Sequence, residues 1–293
     1  MRYETPGALR DALDQRLLNQ RAETQVPIER LRKRVAFERF LVRLLAVAPE
    51  RWILKGAFAL DVRLGLTARA TKDVDLAWAD ADQSVSDDLL AATRHDGRDH
   101  FVFRIERRRT GDLLGGRVMR YTVTTELDAR VFERFPVDVV LGETPSIEPT
   151  WLRLPSLLGF ADVDVVAIPV VAIEQHVAEK LHAYTADRGE RENTRVKDLV
   201  DLVMIGELAE IDAETLTKSL AVSFADSSAE PLWPPLLPTP PQTWMASYAA
   251  LAVEVGATPG LATGHAAAAK MLDPILAGRS NGRWDPITRR WVG

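Results

Sequence analysis

Two aspartates on either side of a single valine, in the run Arg69-Ala70-Thr71-Lys72-Asp73-Val74-Asp75-Leu76, constrain this chain more than any other feature. In an extended strand, residues i and i+2 point to the same face, so the carboxylates of Asp73 and Asp75 converge on one point. Like charges that close repel, and each favours its neutral form unless a cation sits between them. Hard divalent ions such as Mg²⁺ take oxygen ligands and, in nucleotide sites, are shared between one or two carboxylates and the substrate's phosphates. An Asp-x-Asp on its own is usually a solvated loop or an edge strand. Here the flanks Val74, Leu76, Ala77 and Trp78 are apolar, which predicts a strand running into the interior. The basic neighbours Arg69 and Lys72 could hold phosphates. The expectation is a metal-dependent phosphate site.

A third carboxylate fits the same picture. Asp138 interrupts the otherwise apolar run Phe135-Pro136-Val137-Asp138-Val139-Val140-Leu141, and a lone acid in such a strand is costly to bury unless it is paired or coordinates something. Upstream, an apolar run ends in Lys55-Gly56-Ala57, and Gly56 to Leu64 reads as a short helix. The N-terminus of that helix would turn free N–H groups and partial positive charge toward a phosphate.

A chain of 293 residues has room for two modest domains. It has no cysteine, which excludes disulfides and thiolate metal sites. The opening MRYETPGALRDALDQRLLNQ lacks the apolar core of a signal peptide, and no run approaches the ~20 apolar residues that span a bilayer. A cytoplasmic location is expected. The net charge of −5 does not advertise a nucleic-acid binder, but local charge is the better guide. Between Arg104 and Arg120 six arginines face only Glu106 and Asp112. Two readings stand side by side: a hairpin edge guarded by charge, and a grip on RNA phosphates.

Helices are expected over Gly7 to Glu23 and Pro27 to Ala48. In the second, Ile28, Leu31, Val35, Phe37, Leu41, Val42 and Leu45 recur at helical spacing, and Arg30, Arg32, Lys33 and Arg34 read as its solvated face. Ser84 to Arg94 also reads as helical. Strands are expected over Phe101 to Arg107, Arg117 to Glu126, Val137 to Leu141 and Val163 to Val166, with Gly115-Gly116 as a hairpin turn. From Ile173 helices take over: Ile173 to Ala186, Arg195 to Leu208, Thr243 to Val255 and His265 to Ala277. The proline-rich run 231–242 is a connector, and the closing GRWDPITRRWV reads as packed down. The domains divide at 170: a core with N-terminal helices over 1–170, and a helical C-terminal domain over 171–293.

In that second part, Lys180 lies among apolar helix positions, where a lysine usually snorkels to water. Asp198 and Asp201 are three apart and share a helix face, and Arg195 could pair with Asp198 at i,i+3. The histidines show no metal spacing, and neither a P-loop nor a G-x-G-x-x-G is present.

A glycine turn, an Asp-x-Asp strand and a lone Asp on a later strand resemble the nucleotidyltransferase superfamily with a DNA polymerase β-like core. Lys55 to Leu60 with Arg69 to Leu76 is similar to the first motif of the AbiEii/AbiGii toxin family, to which the mycobacterial MenT toxins belong. Glu179-Lys180-Leu181-His182-Ala183 and Arg195-Val196-Lys197-Asp198-Leu199-Val200-Asp201-Leu202 resemble its downstream motifs. The chain departs from the family at Ala57, where a second Gly or a Ser is common. A small residue still lets backbone N–H groups approach a phosphate, but a hydroxyl or glycine's freedom is lost.

The resemblance implies an α/β (α+β) fold, with a small mixed sheet flanked by helices and a helical C-terminal domain. It implies that Asp73, Asp75 and Asp138 hold two Mg²⁺ ions, with Asp138 ligating or accepting a proton. Gly56, Ala57, Lys72, Lys180 and Arg195 would bind the nucleotide, Asp198 would be essential and Asp201 structural. The reaction would move an NMP from an NTP to an RNA acceptor, a tRNA 3′ end, and the protein would be a toxin checked by a cognate antitoxin. Two other functions stay open: a D-x-D glycosyltransferase using a nucleotide-sugar, and an inactive nucleotide- or partner-binding module.

Overall fold

A computed structural model describes residues 2–65, 68–78, 84–108, 118–142, 145, 147–163, 165–186, 193–225 and 233–293. The chain divides into two compact units. The first comprises Met1–Leu66, Ala70–Thr144 and Pro149–Val170, and the second Thr67–Arg69, Pro145–Glu148 and Val171–Gly293.

The first unit opens with α1 (Pro6–Thr24), which starts where its physics is favourable. Pro6 needs no N–H at the first turn, and the Thr5 hydroxyl accepts from Ala8 N–H. The helices α2 (Ile28–Val47), α3 (Gly56–Leu64) and α4 (Val85–Arg94) follow, the last capped by Ser84. The strands are β1 (Trp52–Lys55), β2 (Val74–Trp78), β3 (Val102–Arg107), β4 (Val118–Leu127), β5 (Arg130–Leu141), β6 (Thr150–Arg153) and β7 (Ala167–Val170). They form one sheet in the order β3-β4-β5-β2-β1-β7-β6. The pairs β2–β5 and β1–β7 are parallel and the others antiparallel, so the sheet is mixed as expected and larger than expected.

The strands alternate. Tyr121, Val123, Phe135, Val137 and Val139 are buried on one face, and Phe37 of α2 stacks edge-on against Phe58 of α3 and Phe135 of β5. Each buried Phe is worth roughly 1.5–3 kcal/mol against exposure, which fixes α2 and α3 on that face. The opposite face of β4 and β5 carries Arg120, Thr122, Thr124, Arg134 and Asp138.

Three expectations need correction. Arg30 and Arg34 are not a solvated face: their side chains are buried and paired with Asp61 of α3, at 4.0 and 3.7 Å. Lys33 reaches Glu133 and Arg32 reaches Asp14. Burial pushes the Asp61 carboxyl above its ordinary value, and the two arginines pull it back. Second, β5 begins at Arg130 and runs through Pro136. A proline is tolerable there because the neighbour β2 pairs only from Val137 onward. Third, the last strand is Ala167–Val170 and not Val163–Val166, and β6 went unforeseen. The hairpin turn at Gly115-Gly116 lies outside the described residues, though β3 and β4 pair as its two arms.

The second unit contains α5 (Ile173–Thr185), α6 (Val196–Leu208), α7 (Ala213–Ser223), α8 (Met245–Val255) and α9 (Leu261–Leu276). It is not purely helical. The strands β8 (Ile211–Asp212), β9 (Arg283–Asp285) and β10 (Arg290–Val292) form a small antiparallel sheet. Trp284 is buried there, and its indole N–H donates to the Gly206 carbonyl at 2.7 Å. In the connector, the described part from 233 onward is tied down by a bond from the Tyr184 hydroxyl to the Pro238 carbonyl.

Candidate active site

Strand register assembles the centre of the site. Lys55 of β1 is the Cα partner of Asp75 of β2, Asp75 of Asp138 of β5, and Asp138 of Arg120 of β4. Direct partners on neighbouring strands share a face, about 5 Å apart. Four adjacent strands therefore present one row, Lys55–Asp75–Asp138–Arg120, with two carboxylates side by side and a cation at each end. Asp73 lies one residue before β2, and the Thr71 hydroxyl, itself buried, donates to its carboxylate at 2.8 Å. That bond fixes the turn entering β2.

Gly56 opens α3 with φ +64°, a left-handed conformation that glycine adopts without strain. A Cβ at this position would collide with the Asp75 carboxylate. The helix start and the acid are thus in direct contact, and only glycine permits it. Ala57 is buried in the first turn of α3, and Lys55, which precedes the helix, supplies no side-chain cap. Lys72 is exposed beside Asp73.

Sequence reasoning missed Arg120. Its guanidinium donates from Nε to Asp138 Oδ1 at 2.6 Å and from its terminal nitrogen to Oδ2, a two-pronged grip. The bond to Asp138 and that residue's charge raise the arginine's pKa above its ordinary value, with smaller contributions from Asp73 and Asp75. All three carboxylates act on this one cation. The signal was the alternation of Arg120, Thr122 and Thr124 with Tyr121 and Val123, but only the register of β4 on β5 links it to Asp138.

Lys180, Arg195 and Asp198 belong to the second unit, where they form a cluster of their own. Lys180 is buried on α5, 3.2 Å from Asp198 and 2.6 Å from Asp201, both on α6. Arg69 reaches Asp201 at 3.2 Å, and Arg195 lies 3.7 Å from Asp198. Burial alone pulls the Lys180 ammonium down, but the two aspartates, Asp201 first, outweigh it and its pKa ends above the usual lysine value. Lys180 therefore does not snorkel, and Arg69 is engaged with Asp201. Three cations against two carboxylates leave this cluster net positive, a charge that suits phosphate.

Among the described residues, no three His, Asp or Glu side chains are already arranged as a metal cage. The donor chemistry nevertheless fits a hard divalent ion. Asp75 and Asp138 offer carboxylate oxygens side by side, and a guanidinium stands where the pair calls for positive charge. In the arginine-rich segment, Arg104, Arg107 and Arg108 are exposed; Arg104 pairs with Glu126, and Arg108 bonds the Thr122 hydroxyl. Arg109 and Arg117 lie outside the described residues. No helix among the described residues is long and apolar enough to cross a membrane.

A mixed sheet with paired aspartates behind a glycine turn has the form of a nucleotidyltransferase, and residues 39–277 match the family model described as nucleotidyl transferase AbiEii toxin, of type IV toxin–antitoxin systems. The chain belongs to the AbiEii family and is a nucleotidyltransferase toxin, which implies an NTP substrate and an antitoxin partner. Solved structures similar to it include MenT4, a nucleotidyltransferase toxin of Mycobacterium tuberculosis H37Rv (20% identity, 92% of this chain and 98% of that one, TM-score 0.49). Another is JHP933 of Helicobacter pylori (16% identity, 84% and 94%, TM-score 0.48). A search of curated proteins found no match.

Proposed function

We propose that the chain transfers an NMP from an NTP to the 3′ end of an RNA, of the tRNA class, with Mg²⁺ held by Asp73, Asp75 and Asp138. The observation that carries this reading is the pairing of Asp75 with Asp138 on adjacent parallel strands, backed by the Gly56 turn. Those carboxylates would hold the divalent ion, which when bound would supply positive charge for the nucleotide's phosphates and acidify the attacking hydroxyl. Backbone N–H groups of Gly56 and Ala57 at the start of α3 meet a phosphate, and Lys72 adds a cation beside them. In the second unit, Lys180 and Arg195 are the cations for a nucleotide phosphate, and Asp198 holds the Lys180 ammonium in place. The 3′-hydroxyl of the acceptor attacks the α-phosphorus in line, with Asp138 ligating the ion or accepting the hydroxyl's proton, and pyrophosphate leaves.

The acceptor reading rests on the polar sheet face. Arg104, Arg108 and Arg134 share that face with Arg120 and Asp138, as strand alternation and register require. Arginines in such a track contact phosphates and carry no base information. A translation-blocking toxin acting on tRNA works in the cytoplasm, where its antitoxin meets it. A thermal-unfolding experiment tests the metal and nucleotide reading. Mg²⁺ with NTP should raise the melting temperature of the wild type and leave Asp73→Ala unmoved; equal stabilisation of both would remove Asp73 from the site.

A further inference from the structure

Two carboxylates side by side on adjacent strands, Asp75 and Asp138, are unstable without a cation, and this chain carries its own. Arg120 grips Asp138 with two nitrogens, feels Asp73 and Asp75 as well, and stands opposite Asp138 in register. Its side chain is nonetheless 47% exposed, against 15% for Asp138. A half-exposed arginine releases its partner at little desolvation cost, because water is already at hand. Asp138 cannot give the same lone pairs to both a guanidinium and a metal ion.

We propose that Arg120 serves as the resident counter-cation of the Asp75–Asp138 pair: it occupies Asp138 while no metal is bound and yields it when one arrives. The released guanidinium, on the sheet face shared with Arg104 and Arg108, then turns to a substrate phosphate. Metal binding and the freeing of an arginine for phosphate are in this way one event. Without nucleotide, the ion must displace the arginine unaided, and the free protein binds divalent cations weakly. With nucleotide, the triphosphate both shares the ion and receives the arginine, so the metal is taken up together with the substrate.

This inference rests on the reading of Asp138 as a metal ligand, and the experiment separates the two. Mn²⁺ binding is measured by electron paramagnetic resonance on the full chain, as wild type, Arg120→Gln, Arg120→Lys and Asp138→Asn, with and without a non-hydrolysable NTP analogue. Without nucleotide, Arg120→Gln should bind Mn²⁺ about tenfold more tightly than wild type, as expected for losing one charge-assisted competitor at a partly exposed site. Arg120→Lys should fall between them, because a single ammonium cannot reproduce the fork. The gain in affinity on adding the analogue should shrink in Arg120→Gln. Melting in EDTA adds a readout independent of metal affinity: Arg120→Gln should be destabilised there and recover in Mg²⁺ more than wild type does. If Asp138→Asn weakens Mn²⁺ binding but Arg120→Gln does not tighten it, the counter-cation role is overturned and the metal reading stands. If Asp138→Asn leaves Mn²⁺ binding unchanged, the metal reading at Asp138 falls and the counter-cation role falls with it.

Discussion

Replacing Gly56 by alanine isolates the contact between the start of α3 and Asp75. The substitution meets two obstacles. The first is backbone strain, since a non-glycine residue at φ +64° costs roughly 1–2 kcal/mol. The second is the collision of the new methyl with the Asp75 carboxylate, which must move or rotate away from Asp138. A misplacement of about 1 Å in a reacting constellation costs on the order of 100-fold in rate. Gly256 at the end of α8 provides a matched control, with the same φ of +64° and nothing within 4 Å of a built Cβ. Gly256→Ala should therefore suffer the strain alone, lowering the melting temperature by roughly 2–8 °C at about 2–4 °C per kcal/mol and leaving turnover unchanged. Gly56→Ala should lose a comparable or greater amount of stability and about 100-fold or more in NTP-dependent labelling of RNA, measured below its melting temperature. Turnover within a few-fold of wild type in a folded Gly56→Ala would refute the claim that this contact positions Asp75.

Lys180→Met leaves Asp201, which is fully buried, with Arg69 as its remaining cation among the described residues, and should cost about 3–5 kcal/mol in urea unfolding; a loss below about 1 kcal/mol would contradict the buried-pair account. Burial raises the Glu38 carboxyl above its ordinary 4.5, with Arg39 opposing the shift. The folded state then holds a proton that the unfolded state has released, so this group's contribution falls as pH rises from 4.5 through the raised value. Glu38→Gln removes that slope, and its stability relative to wild type should improve with pH across that window; a difference independent of pH would count against it. Neutralising Arg104, Arg108 and Arg134 together should weaken RNA binding and lower the log–log salt slope by about one for each phosphate left without its arginine, with nucleotide binding retained. A triple variant that modifies RNA like wild type but escapes its antitoxin would make this face a partner surface.

Local features made much of the fold readable. The glycine turn and the apolar run after it delimited α3 as Gly56–Leu64, and the segment read as helical from Ser84 to Arg94 is α4, which the Ser84 hydroxyl caps. Asp75 was singled out by its i+2 spacing from Asp73, and Asp138 because a lone acid in an apolar strand needs a partner. Non-local facts were not readable. The arginines of α2 looked like a solvated face because their partner, Asp61, lies far along the chain and becomes a neighbour only when α3 docks. The first half of β5 breaks its apolar residues with Arg130, Glu133 and Arg134 and ends in a proline, so it carries no apolar run to mark it. β6 and the β8–β9–β10 sheet are too short to show a period of two. Arg120 stood in the sequence as one arginine among six. Its place opposite Asp138 comes from a register that no window of adjacent residues contains.

The most direct test of the central claim follows the two ends of the nucleotide. Purified protein is incubated with Mg²⁺, total cellular RNA and an NTP labelled at either the α- or the γ-phosphate, as wild type and as Asp75→Asn. Transfer by the Asp73–Asp75–Asp138 site puts α-label on the 3′ end of an RNA, releases γ-label as pyrophosphate, and disappears both in EDTA and in Asp75→Asn. Label reaching RNA from the γ-position, or α-label incorporated undiminished by Asp75→Asn, would contradict it.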